Sequence, residues 1–133
     1  MTKYWLFIIN KENWEVVKQT NIIGSNYEDK TELINKDDII VIYAIRPISS
    51  ILATYKVVSK FTENKKIFIR DIYPYRLRME PIKILETPIL FKELVNKFSF
   101  IKNKNSWQSY LFGVRGVREL AQKDYYIIEK EIQ

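Results

Sequence analysis

The sequence predicts an α+β protein: a small mixed β-barrel of about six strands with three or four short helices around it. Short runs of β-branched and aromatic residues recur along the chain, separated by turn residues. Other runs place their apolar residues at helical spacing. A length of 133 residues with 47% hydrophobic residues is enough for one buried core. We therefore expect a single domain over residues 1–133.

The chain opens with a predicted strand, helix and loop. Residues 3–9 are nearly all apolar, as in a strand that is covered on both faces. Asn10 is suited to cap a short helix over residues 11–18, whose first turn carries an acid that the helix dipole favours. Residues 21–26 indicate a loop, in which Gly24 is free to adopt a positive φ angle.

A predicted hairpin follows. Residues 28–36 are polar and indicate a short helix or turn, and the Lys-Asp-Asp run after them is a turn signal. Residues 39–45 form a strong strand pattern that breaks at the Arg-Pro-Ile-Ser-Ser run of residues 46–50. We expect residues 51–59 to be its antiparallel partner.

The second half of the chain is predicted as short elements between prolines and polar loops. We expect a turn at 61–65, a short strand at 66–70, an alternating strand at 73–79, a further strand after Pro81 at 82–86 and a helix after Pro88 at 90–98. A basic loop at 99–107, a segment at 109–120 that is ambiguous between strand and loop, and an amphipathic terminal helix at 123–132 complete the chain.

The composition excludes several common functional classes. The chain has no cysteine and no histidine, so disulfides, thiolate chemistry, the usual zinc sites and an imidazole base are all excluded. The acidic pairs at 28–29 and 37–38 lie in turn-like contexts and are predicted to be solvated, unlike carboxylates in a catalytic cleft. We expect no catalysis, no cofactor and no metal.

The chain also lacks the signals of a membrane or secreted protein. No apolar run approaches the roughly 20 residues of a membrane span, and the opening apolar run has no signal-peptide cleavage pattern. We therefore expect a cytoplasmic protein with no membrane partner.

Positive charge is concentrated in the middle of the chain. Residues 41–118 hold 15 basic and 5 acidic residues, although the net charge of the whole chain is only +6. Such a block is typical of a footprint for nucleic-acid phosphates, and a solvated basic surface is the alternative.

Aromatic and amide residues are frequent near predicted strand ends. Trp5 and Trp14 precede the Gly24 turn, and either can line a pocket or simply fill the core. Trp107 lies in a polar segment, and residues 98–118 hold four basic residues and no acid. Two glycines bracket an arginine at 113–116, but the lysine and hydroxyl residue of a phosphate loop are missing.

Four short sequence motifs, taken together, are specific enough to indicate a protein family. They are Ile-x-Asn-x-Glu-Asn-Trp-Glu-Val at 8–16, Tyr-Pro-Tyr-Arg at 73–76, Phe-Ile-Lys-Asn-Lys with a following tryptophan at 100–107, and Phe-Gly leading to Arg-Glu-Leu at 112–120. In these runs, and over almost its whole length, the sequence resembles an archaeal subgroup of the EVE domains. The resemblance implies a PUA-like barrel, related to YTH and ASCH domains, that reads modified bases in RNA or DNA.

The resemblance also suggests positions for the site. Asn10 and Lys11 resemble the polar lip after the first strand, Gly24 and Ser25 resemble the pocket turn, and Trp107 resembles a residue of the facing loop. The wider family usually has a tryptophan just before the glycine turn, where this chain has Ile23.

The resulting hypothesis is a non-catalytic module that holds a flipped, modified base in an aromatic and amide pocket. The predicted pocket residues are Asn10, Lys11, Trp14, Gly24, Ser25, Tyr73, Tyr75, Trp107, Ser109 and Phe112. The predicted phosphate-binding residues are Lys102, Lys104, Arg115 and Arg118. An ASCH-like hydrolase or ribonuclease on the same barrel is one alternative, although its Gly-x-Lys-x-x-Glu arrangement is not found. A protein-interaction domain is another.

Overall fold

The computed structural model describes residues 1–112 and 116–132, and over these residues one sheet curls into a half-barrel with helices packed around it. Its strands are β1 (Tyr4–Ile9), β2 (Ile22–Ser25), β3 (Ile39–Ala44), β4 (Ser50–Thr62), β5 (Tyr75–Leu90) and β6 (Val117–Leu120). The α-helices are α1 (Lys11–Thr20), α2 (Glu28–Thr31), α3 (Ser109–Phe112) and α4 (Gln122–Ile132). The predicted α+β class, with about six strands in a mixed, barrel-like sheet and short helices around it, is therefore confirmed, and the barrel is a half-barrel.

The sheet is mixed. Its strand order is β2-β5-β4-β3-β1-β6, and β1 pairs with β3 in parallel. The remaining described pairs are antiparallel. Because a parallel pair needs a crossover connection, the chain between β1 and β3 forms α1, β2 and α2 before it returns to the sheet.

Both faces of β1 are buried, as the sequence predicted. Trp5, Phe7 and Ile9 point into an inner core that α1 also covers, whereas Leu6 belongs to a second core on the outer face. Side chains alternate between the faces of a strand, so a strand that separates two cores must be apolar at every position. The outer core is covered by the chain after β5 and by α4.

The start of α1 also matches its prediction. The Asn10 side chain accepts a hydrogen bond from the Asn13 backbone N–H at 2.8 Å, as an N-cap should. The helix ends at Asn21, whose φ of 58° is left-handed. Trp14 and Val17 lie on its buried face.

Three predictions in the middle of the chain are wrong. Part of the predicted 21–26 loop is β2, which pairs with β5 from Ile22 to Ser25. Residues 66–70 run as irregular loop instead of a strand. The strand β5 is continuous through Pro81, where the register with β4 shifts. A bulge tolerates a residue that lacks an N–H group, so proline did not end the strand.

Two predictions near the outer core also need correction. Residues 90–98 form two short 3₁₀ turns, Phe91–Glu93 and Val95–Lys97, instead of one α-helix. The ambiguous segment 109–120 contains α3 and β6.

The carboxylate of Asp38 is buried, in contrast to the solvated turn that the sequence predicted. It accepts hydrogen bonds from the Trp5 indole Nε1 at 3.0 Å, the Lys3 backbone N–H at 3.0 Å and the Asn35 backbone N–H at 2.9 Å. Three donors compensate for the burial of the charge. Asp38 therefore joins the start of β3 to the start of β1.

Candidate functional site

A narrow cleft opens where the end of β1 meets the end of β2. We call it the glycine cleft, and the residues that line it are Phe7, Ile8, Gly24, Ser25, Asn26, Tyr27, Tyr73 and Gly116. Its volume is about 70 Å³. That space holds about two water molecules and is well below the roughly 300–1,000 Å³ of a typical ligand pocket. A larger ligand enters only when the lining moves apart.

The Tyr73 backbone forms one wall of the glycine cleft by approaching Gly24. A Cβ atom on Gly24 would lie 2.6 Å from the Tyr73 carbonyl oxygen, so only glycine fits there. Tyr73 itself has a φ of 48°, an uncommon conformation for a bulky side chain. Strain of this kind persists only where surrounding contacts impose it, and it is concentrated at functional sites.

Hydrogen bonds from Arg76 fix much of the backbone conformation at Tyr73. The side chain is only 2% exposed, and its Nε donates to the Tyr73 carbonyl oxygen at 3.1 Å. Its Nη2 donates to the carbonyl oxygens of Ile72, at 2.9 Å, and Lys65. A buried arginine thus fastens the 63–74 loop beside the cleft.

Hydrogen bonds and an ion pair also link the residues around the opening of the glycine cleft, which we call its rim. The Asn26 side chain accepts from the Tyr73 backbone N–H at 3.2 Å, and the Ser25 hydroxyl accepts from the Tyr27 backbone N–H at 3.0 Å. Arg70 of the same loop reaches Glu12, in the first turn of α1, at 3.5 Å. The structure therefore brings Gly24, Ser25 and Tyr73 together beside the Asn10 end of α1, where Lys11 is exposed.

A larger cleft lies at the end of β3. We call it the tryptophan cleft; Tyr43, Arg46, Ser49, Trp107 and Gln108 line its volume of about 290 Å³. Trp107 packs on the buried ring of Phe91 with centroids 5.4 Å apart. Its walls therefore combine an indole, a guanidinium group, two hydroxyl groups and an amide.

The hydroxyl of Tyr43 faces polar groups of this cleft. Burial raises the pKa of Tyr43, while a hydrogen bond with Ser49 and the nearby charge of Arg46 both act to lower it. Because the net direction is upward, the phenol is neutral at physiological pH and can serve as a hydrogen-bond donor.

The structure places other predicted pocket residues elsewhere. Trp14 is in the inner core, edge-to-face with Tyr55, and lines neither the glycine cleft nor the tryptophan cleft. Tyr75 lines a third cleft, between α2 and the strands β4 and β5. The Ser109 hydroxyl donates to the Ser106 carbonyl oxygen at 2.8 Å. Ile23 is buried in the inner core.

The predicted phosphate-binding residues are in different environments. Lys102 is exposed. The Lys104 ammonium donates to the carbonyl oxygens of Phe98, at 2.9 Å, and Ile101, so two of its three N–H groups are used within the loop. The Arg118 guanidinium lies 4.6 Å from the Phe100 ring centroid. Arg115 and the side chain of Phe112 lie outside the described residues.

Sequence reasoning missed most of the tryptophan cleft. Tyr43, Arg46, Ser49 and Gln108 were not predicted as site residues. A signal was present, because Arg46 and Ser49 follow a strong strand just as Asn10 and Lys11 follow β1. Polar residues that follow a strand are a signal of a site in both places.

The described residues also limit other kinds of site. Within 1–112 and 116–132, no helix is long and apolar enough to cross a membrane. Over the same ranges, no cluster of three or more acidic side chains is arranged to hold a metal ion.

Comparison with known families identifies the chain. The family model of the EVE domain matches residues 3–131. The chain belongs to the EVE family. A UPF0310 protein of Pyrococcus horikoshii is 38% identical to this EVE domain, over 96% of this chain and 97% of its own length. A UPF0310 protein of Saccharolobus solfataricus is 29% identical over 96% of this chain.

Solved structures share the fold of this EVE domain. Protein Atu2648 from Agrobacterium tumefaciens has a TM-score of 0.64 at 15% identity, with 98% of this chain and 92% of that chain covered. The YTH domain-containing protein mmi1, solved in complex with RNA, has a TM-score of 0.69 at 13% identity, with 98% and 81% covered. At these identities the similarity concerns the fold.

Proposed function

We propose that this EVE domain is a non-catalytic module that binds single-stranded nucleic acid, with RNA preferred to DNA. It holds one unstacked, modified base at the glycine cleft. The observation that carries the proposal is the convergence of Gly24, Ser25 and Tyr73 beside the start of α1. The fold shared with a YTH domain that was solved with RNA supports it.

The chemistry of the rim suits a base. An aromatic ring such as that of Tyr73 contributes about 1–3 kcal/mol by stacking on one base. Asn26 is exposed, and beyond its bonds to Asp71 and to the Tyr73 backbone N–H its amide keeps one N–H group and one lone pair for the hydrogen-bonding edge of that base. The Ser25 hydroxyl, bonded to the Tyr27 backbone, lies beside it in the lining of the cleft. Extruding a base from a duplex costs a few kcal/mol, so a single strand is the better substrate.

Entry of a base requires the cleft to open. The Tyr27 side chain is 43% exposed and that of Tyr73 is partly exposed. The Tyr73 ring packs edge-to-face on the buried ring of Phe68, so an outward movement of Tyr73 has to separate that pair. We assign the opening to these two rings, because the Tyr73 backbone is fixed by Arg76. The binding energy of a modified base would then offset the cost of separating them.

Basic side chains would hold the phosphates of the bound strand. We propose Lys11 and Lys102, which are exposed, together with Arg118 and Arg115. Each phosphate that a cation neutralises releases counterions, so binding weakens as salt rises.

The proposal of a binding module without catalysis rests on the sequence. With no histidine or cysteine, the chain lacks the commonest bases and nucleophiles. Turnover of single-stranded RNA or of an acylated nucleoside that is lost when Lys11 or Glu12 is changed would overturn this part.

A titration of labelled single-stranded oligonucleotides, with and without modified bases, tests the function. We expect salt-sensitive binding that Tyr73→Ala weakens by about 1–3 kcal/mol. Tyr126→Ala is the matched control, because Tyr126 is an exposed tyrosine on α4 and lines neither cleft. The proposal fails if no oligonucleotide binds at low salt, or if Tyr73→Ala binds as tightly as the wild type.

A further inference from the structure

The tryptophan cleft is a separate recess from the glycine cleft, and the two share no lining residue. We propose that the tryptophan cleft binds a second nucleotide of the same strand, with its base on Trp107 and its phosphate on Arg46. This inference rests on the proposed function, because it assumes that a single strand reaches this end of the barrel.

The indole of Trp107 is positioned to serve as a stacking surface. It packs on Phe91, with ring planes 32° apart, and Phe91 is itself fully buried and edge-to-face with Tyr43. Because buried aromatic neighbours already hold the ring in one orientation, it loses little conformational entropy when a ligand binds. The part of the indole that lines the cleft is therefore preorganised for a flat ligand.

The cleft also supplies a cation without a competing acid. Its lining residues include no aspartate or glutamate, and no ion pair involves Arg46 among the described residues. By contrast, the larger cleft beside α2 is lined by Glu28 and Glu32. A guanidinium group with free N–H donors matches a phosphate group in geometry and charge.

The turn that carries Arg46 is held by its own backbone. The N–H groups of Ile48 and Ser49 both donate to the Ile45 carbonyl oxygen, at 3.1 and 3.4 Å. Ser49 has a φ of 48°, so this cleft, like the glycine cleft, includes a residue in an uncommon conformation. Ser49, which is hydrogen-bonded to the buried Tyr43 hydroxyl, and Gln108 line the cleft with a hydroxyl and an amide that the edge of a base would meet.

Size favours a nucleotide over a larger ligand. The volume of about 290 Å³ lies near the lower end of ligand pockets, whereas the glycine cleft is about fourfold smaller in its present state. The tryptophan cleft therefore accepts a base without rearrangement.

The two clefts are adjacent. Ile8 of the glycine cleft pairs in register with Tyr43 of the tryptophan cleft, and both side chains belong to the outer core. Because β1 and β3 are parallel neighbours about 4.8 Å apart, the end of β1 beside the glycine cleft and the end of β3 beside the tryptophan cleft lie at the same end of the barrel. A strand whose first base occupies the glycine cleft would place its next nucleotide toward the tryptophan cleft.

A length series of unmodified oligonucleotides, from adenosine monophosphate to a hexanucleotide, tests the inference. Affinity should rise from one to two nucleotides, and Arg46→Gln and Trp107→Phe should each weaken binding of the dinucleotide and longer strands, Arg46→Gln by about tenfold. Arg78→Gln is the matched control, because Arg78 lies 5.2 Å from the Phe61 ring, away from both clefts.

Tryptophan emission gives an independent readout. Trp5 and Trp14 are 5% and 7% exposed, so quenching on binding should come mainly from Trp107. Quenching that begins only with the dinucleotide supports the inference.

The outcomes separate the inference from the proposed function. If oligonucleotides bind and both variants behave as the wild type, the second nucleotide site is refuted while the function stands. If the monophosphate binds as tightly as longer strands and Arg46→Gln abolishes it, the cleft is a site for a free nucleotide and the inference is wrong. If no strand binds, the proposed function fails, and the inference fails with it.

Discussion

A Cβ atom on Gly24 would lie 2.6 Å from the carbonyl oxygen of Tyr73 and 3.0 Å from its Cβ atom. The wall of the glycine cleft is thus backbone packed against backbone, and it leaves no room for a methyl group. Arg76 Nε donates a hydrogen bond to the same Tyr73 carbonyl oxygen at 3.1 Å. The position of Tyr73 therefore depends on residues 24 and 76 together.

Gly24→Ala should displace the Tyr73 backbone and lower the free energy of unfolding by about 1–3 kcal/mol. The loop that holds Lys65, Lys66 and Arg70 should loosen, so trypsin should cut there faster than in the wild type. Gly116→Ala is the comparator: of the described residues, its added Cβ meets Ile8 O at 3.6 Å and nothing closer, and its cost comes from the φ of +86°. If trypsin cuts both variants at the same rate, the close contact between Gly24 and Tyr73 does not control the order of this loop.

Asp38→Asn should be costly because the carboxylate accepts three hydrogen bonds in a buried place. The amide keeps one acceptor oxygen and turns an N–H group toward the donors, so we expect a loss of about 2–3 kcal/mol in urea unfolding. Asp37→Asn is the control, because Asp37 is exposed and its φ of 73° suits asparagine. That change should alter stability by less than about 0.5 kcal/mol. Similar losses at both positions would argue against the Asp38 network.

Lys102→Ala and Lys104→Ala should differ in what they change. Removing the exposed Lys102 should reduce the slope of log affinity against log salt by about one and leave stability unchanged. Removing Lys104 leaves the Phe98 and Ile101 carbonyl oxygens without their donor and should destabilise the fold by about 1–3 kcal/mol. Oligonucleotide titrations at several salt concentrations and thermal unfolding measure the two effects. A stable Lys104→Ala protein would show that the ammonium contributes little to the loop.

The stability of the protein should fall as pH rises from about 10 to 12. Burial, with the nearby Glu129 as a smaller cause, raises the pKa of Tyr125 to about 12. Because the unfolded chain loses this proton near pH 10, the stabilisation is complete below pH 10 and is lost as pH approaches 12. The loss from this group amounts to about 2–3 kcal/mol at most.

Tyr125→Phe should remove that part of the pH dependence. The difference in unfolding free energy between wild type and variant, measured in urea at pH 8 and pH 11, should shift against the wild type at the higher pH. Tyr126→Phe is the control, because the Tyr126 side chain is about half exposed. A Tyr125→Phe protein that follows the wild type from pH 8 to pH 11 would refute the assignment.

Local patterns predicted the elements that depend on local forces. The N-cap at Asn10, the doubly buried strand β1 and the terminal helix all follow from side chains within a few residues of one another. Such patterns fail where distant pairing decides. Gly24 sits in a strand because β5 offers it a partner, and Pro81 stays within a strand because a register shift accommodates it.

The candidate site likewise depends partly on local sequence and partly on tertiary structure. The sequence alone determined the fold class and the absence of histidine and cysteine chemistry, and it predicted a site around Gly24. Tertiary structure decided that Trp14 is core, that Asp38 is buried and that Trp107 and Arg46 line a cleft separate from the glycine cleft. These last facts depend on where a curled sheet brings distant strand ends, and no window of neighbouring residues contains that information.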